Sequence, residues 1–163
     1  MGKTIDLLLS TLEEIFEKGE WGAHAPLLAS VRDLTPVQAA WSPAPERKSI
    51  WQNVNHVTFW KTYLLSRMAG EPARPSGWYR DLDWREITEV TDENWRGAID
   101  RLVEAEATVL AELGRRQDAD LEELIVGTKV PIYHWVQRII AHDCYHCGQI
   151  MYLRALQGLP PIE

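Results

Sequence analysis

The sequence predicts an all-α fold: a four-helix bundle, taken as one domain over residues 1–163, with a long loop between the second and third helices. Three observations predict it. Four segments carry apolar residues at three- and four-residue steps, the period of a helix with one buried face. Capping and breaking residues bracket those segments. No stretch alternates apolar and polar residues as a half-buried strand would. A chain of 163 residues is long enough to bury a core without disulfides or metal as props.

The first helix is expected over Thr4–Lys18, where Ile5, Leu8, Leu9, Leu12, Ile15 and Phe16 recur on one side and Gly19 ends the run. A shorter helical piece is expected from Gly22 to Val31, before a turn at Leu34-Thr35-Pro36. Residues 36–47 are rich in proline and are read as irregular. Ser49 is the N-cap of a second long helix reaching Met68, which Gly70 and Pro72 close. Residues 71–90 follow as a loop with two prolines and three aromatics, Trp78, Tyr79 and Trp84; loops of that length within a domain often serve function. Thr91 caps the third helix, with Asp92 and Glu93 at the positive end of its dipole. Its stripe is Trp95, Ala98, Leu102, Ala105, Val109 and Leu113, and Gly114 ends it. The fourth helix opens at Pro131 and runs to about Gln157, ahead of Gly158 and Pro160. Most of the eight tryptophans are expected in the core, with a few left for a pocket.

Composition excludes several functions. A formal net charge of −7 with no basic stripe argues against nucleic acid; Arg47-Lys48 and Arg115-Arg116 read as solvated positions near helix ends. No apolar run approaches the ~20 residues of a membrane span. The first residues lack the basic start and cleavage site of an export signal, so a cytoplasmic location is expected.

The chemistry sits in histidines. His142 and His146 are four apart on the fourth helix, within about 40° of each other and one turn apart. They share a face with Trp135, Ile139, Ile150 and Leu153, so both point into the bundle. The spacing is open to two readings, a metal-binding pair or hydrogen-bonded core residues. His56 lies in line with Asn53, Trp60 and Leu64 on the second helix and can meet the pair if the two helices are neighbours. Three imidazoles suit zinc, nickel or iron(II) and leave a coordination position open, the mark of catalytic rather than structural sites.

Neighbouring residues are weighed on the same helical projection. Gln149 lies within about 20° of His142, placed either to hydrogen-bond a group in the open position or to make an interhelical contact. Gly148, costly in a helix interior, is read as a packing choice. Asp143 is about 100° from His142 and is expected to face solvent. Cys144 and Cys147 sit mid-helix rather than at a dipole-activated N-terminus and are read as buried small hydrophobes. His24 and His134 are expected at surface or capping positions rather than at a pocket mouth, and Arg138, near the His142 face, in an interhelical ion pair rather than against an anionic substrate.

The segment His142-Asp-Cys-Tyr-His146-Cys-Gly-Gln149-Ile150, with Ser49-Ile-Trp-Gln-Asn-Val-Asn-His56-Val upstream, resembles the DinB-like superfamily of metal-binding bundles. The resemblance extends over nearly the whole chain and implies that His56 joins His142 and His146 around one divalent ion. It further implies a metal-dependent transferase or hydrolase acting on a small electrophilic substrate, with a low-molecular-weight thiol such as bacillithiol or mycothiol as a cofactor, and a homodimer. The alternative it leaves is a non-catalytic, stress-linked metal-binding protein acting as a dimeric interaction module.

Overall fold

In the computed structural model, which describes residues 2–21 and 25–162, four long helices pack as the bundle the periodicity predicts. Helix α1 (Lys3–Glu13) continues through a π-helical turn, Glu14–Lys18. The carbonyls of Ile15 and Phe16 accept from the amides of Leu27 and Leu28 rather than closing an ordinary turn. Helix α2 (Ala29–Arg32) is a remnant of the piece expected from Gly22; Gly22 and His24 themselves lie outside the described residues.

Helix α3 (Pro36–Ala40) corrects the reading of residues 36–47 as irregular throughout. Proline at the first helical position favours a helix start, and Thr35 and Gln38 close a reciprocal capping box around it. Helix α4 (Ile50–Met68) begins at Ser49, which forms the same box with Gln52. Helix α5 (Asp92–Gly114) is capped by the Thr91 hydroxyl. A 3₁₀ turn at Asp118–Glu122 precedes helix α6 (Ile132–Leu156), for which Pro131 is the N-cap.

Helix α4 packs against both α5 and α6. The core divides in two. Trp51, Val54, Val57, Trp95, Leu102, Ile150 and Leu153 belong to one cluster, and Leu12, Leu64, Val109, Leu113, Val136 and Ile139 to the other. Between them lies a polar layer, one residue from each of three helices. Lys61 of α4 donates to Glu106 of α5 at 2.5 Å and to Asp143 of α6. All three are at most 2% exposed. Asp143 is therefore an interior ion-pair partner, not the solvent-facing residue expected, because Lys61 rewards its burial with charge. Burial opposes the Lys61 charge, yet the two carboxylates outweigh it and hold the ammonium above its ordinary pKa.

Residues 71–90 form neither helix nor strand, but they are not loosely placed. Trp78 packs its ring on Phe59 and Tyr63 of α4, at centroid distances of 5.3 and 5.0 Å, and Tyr79 packs on Trp60 at 5.5 Å. Such aromatic pairs contribute about 0.5–1.5 kcal/mol each beyond buried area. The amides of Leu82 and Asp83 both return to the Tyr79 carbonyl. The segment is thereby wound back over α4, bringing Asp83 and Trp84 to the helix's inner face. Tryptophan is used differently from the expectation of core filler: Trp51 and Trp95 are buried, whereas Trp60, Trp78, Trp84 and Trp135 are half-buried and Trp21 and Trp41 are exposed.

Candidate metal centre

His56, Asn53 and Trp60 lie along one side of α4, and His142 and His146 face them from α6. The seam between the helices brings the three imidazoles together. His56 Nε2 is 3.0 Å from His142 Nε2, and His146 Nε2 is 3.1 Å from the same atom. One nitrogen from each ring lies within 4.8 Å of the others. Ligands bound tetrahedrally at about 2.0–2.1 Å from an ion stand little more than 3 Å apart, so the two spacings to His142 would let one ion reach these nitrogens.

The opposite ring nitrogens fix which way the lone pairs point. His56 Nδ1 meets the Asp83 carboxylate, whose second oxygen accepts from Trp60 Nε1 at 3.3 Å. His146 Nδ1 lies 2.8 Å from Asn53 Oδ1. An amide or carboxylate oxygen accepts, so both Nδ1 atoms carry the proton and both Nε2 atoms present lone pairs. The two lone pairs converge on His142 Nε2. A neutral His142 has one proton, which cannot satisfy both, and its buried Nδ1 has no hydrogen-bond partner among the described residues. The donor set is thus under-protonated at its centre, which is what a cation would correct. Carboxylate or carbonyl acceptors behind the ligand histidines are the usual support of such sites.

The electrostatics agree. Burial holds His56 and His146 down to about 4 and His142 down to about 3, with the neighbouring histidines and Lys61 adding to the effect on His142. All three are neutral at pH 7, the form that ligates. Burial raises Asp83 to about 6, against the hydrogen bond from Trp60; it remains an anion at neutral pH. Trp84 stacks on the His56 ring at 3.9 Å with an interplanar angle of 15° and covers that side of the seam.

The remaining side opens into a cavity of about 750 Å³. Its floor is His56, His142 and His146 with Asn53; Pro43, Leu153, Leu156, Tyr145, Tyr152 and Trp84 form walls; Glu46, Arg47 and Lys48 form the lip. The loop that the sequence singled out as functional supplies Trp84 to the wall, while the proline-rich stretch before Ser49 contributes more of it. Arg47 and Lys48 line this mouth, which gives the pair a placement that charge counting missed.

Gln149 lines the cavity, donates to the Tyr145 hydroxyl at 3.0 Å, and interacts with His146. Cys147 is buried, with its thiol directed to the Ala25 carbonyl, and burial pushes it up to about 11. Cys144 is half-buried and is likewise raised, by burial and by Asp143. Neither thiol is placed to act as a nucleophile. Gly148 is exposed, and an added Cβ would meet nothing within 4 Å, so close packing does not explain it. His134 and Arg138 are exposed away from the cavity, where Arg138 sits over Trp135 at 5.8 Å and is in none of the ion pairs among the described residues.

Asp83 is the functional neighbour that sequence reasoning missed. It is one of five carboxylates in a segment without periodicity, 27 positions from its partner. The family model of the DinB superfamily matches residues 22–150, a span containing all three histidines. No curated protein matches the chain.

Proposed function

The chain belongs to the DinB superfamily, and on that premise we propose that it is a metal-dependent enzyme in which His56, His142 and His146 hold one divalent transition ion. Zinc or nickel leads by ligand type, with iron a further candidate. The observation that carries this reading is the convergence of two outward-held lone pairs on His142 Nε2, at the floor of an open cavity.

The ion would supply Lewis acidity, making a water or thiol at its open position nucleophilic near neutral pH. The chain's own contribution is orientation and exclusion. Asp83 and Asn53 hold the protons at Nδ1 of His56 and His146 and so keep Nε2 free. Trp84 covers the His56 ring and keeps water from that side. The apolar walls receive the body of a small electrophile. Because both cysteines are held protonated, the chain supplies no thiolate of its own. The nucleophile must therefore enter with the substrate pair. This favours a thiol S-transferase using a low-molecular-weight thiol, or a hydrolase using water.

The test compares conjugation of an aryl halide with several low-molecular-weight thiols, and hydrolysis of an activated ester, using metal-loaded and metal-free protein. The proposal expects one of the two rates to rise with metal and to fall to background in His146→Ala. Equal rates in both states would leave a metal-binding protein without chemistry.

A further inference from the structure

We propose that the cavity selects small molecules with an anionic tail, which Arg47 and Lys48 bind at the lip while a donor atom of the same molecule reaches the histidine floor. The inference rests on the open metal site proposed above and adds the class of ligand to it.

The first observation is placement. Arg47 and Lys48 are adjacent, both line the cavity that ends at the three histidines, and both are exposed. Neither takes part in the ion pairs found among the described residues. Lys48 Nζ stands 5.5 Å from the centroid of Trp84, the ring that stacks on His56. Glu46 lies on the same lip and opposes the pair, leaving one net positive charge there.

The second observation is contrast. The chain carries a formal charge of −7, so its general field repels anions, and a basic lip is a local reversal of it. At the floor, three neutral imidazoles and one supporting carboxylate would leave a divalent ion short of charge balance. Between lip and floor the walls are apolar, with Pro43, Leu153, Leu156 and Trp84. Positive ends joined by an apolar passage fit a molecule with a metal-seeking head, a short hydrocarbon spacer and an acid group.

The test uses three probes that share one head and one spacer: 6-mercaptohexanoate, 6-mercaptohexanol and 6-aminohexanethiol. Each is titrated into cobalt(II)-loaded protein, and the thiolate charge-transfer absorption reports binding. Two exposed charge contacts predict that the acid binds about five- to tenfold more tightly than the alcohol at low salt, and the amine more weakly than either. The preference should shrink in 0.5 M salt. It should fall below about twofold in the Arg47→Gln/Lys48→Gln double variant and widen in Glu46→Gln. These residues are exposed, so the variants keep the fold. Equal affinities for the three tails, or a preference that survives the double variant, would overturn the inference while leaving the metal site standing. No absorption band with any probe would overturn the open site itself, and the inference with it.

Discussion

Asp83 couples a loop to the histidine floor through one hydrogen bond to His56, with Trp60 restraining its other oxygen. Removing such a supporting acceptor weakens metal binding by about 10–100-fold. Asp83→Asn should therefore show that loss in a competition titration against a chelator, and an unchanged affinity would remove Asp83 from the site. The histidines carry a second prediction. Their pKa values are lowered to about 3–4 by burial, so the sign of the effect is to extend the neutral, ligating form to lower pH. In metal-free protein the ring C–H resonances of all three should show no protonation step between pH 8 and pH 5.5. Midpoints near the ordinary value of about 6.5 would contradict the burial on which the site depends.

The helices position the ligands, and their ends were legible where a local rule is strong. Ser49, Thr91 and Gly19 marked boundaries because caps act within three residues. Helix α3 was missed because the proline density of its surroundings outweighed the Thr35–Gln38 box. Loss of the Ser49 hydroxyl in Ser49→Ala should cost about 1 kcal/mol in urea unfolding, and an unchanged midpoint would show that α4 is held by packing alone. Gly148 predicts the opposite sign. It is mid-helix in α6 with open space where a Cβ would stand. Gly148→Ala should stabilise the protein by up to about 1 kcal/mol; a destabilised variant would mean that something outside the described contacts occupies that space. The pair His142 and His146 was legible from periodicity on this same helix. Asp83 and the lip residues were not, because their positions are set by aromatic packing of the 71–90 loop and by the hydrogen-bonded turn at 42–47 before α4.

At the scale of the whole molecule, the bundle is two apolar clusters joined across a buried charge layer. The all-α fold followed from four periodic segments, but the layer shows a limit of reading stripes one at a time. Lys61, Glu106 and Asp143 each interrupt an apolar stripe, and only their meeting across three helices explains any of them. Burial keeps Asp143 up at about 6, with Lys61 opposing. Lys61→Met would strand two carboxylates in the interior and should cost about 3–5 kcal/mol, whereas apolar replacement of all three should be far milder. A loss below about 1 kcal/mol in Lys61→Met would mean that the layer is wet. The layer also fixes α6 against α4 immediately beside His142, so the site's geometry is inherited from the bundle. The most direct test of the account is the metal content of untagged protein after loading with zinc and removal of excess by gel filtration. The account predicts one ion per chain, lost in both His56→Ala and His146→Ala with the helical circular dichroism retained. A folded wild-type protein that holds no ion, or one that keeps it in both variants, would contradict it.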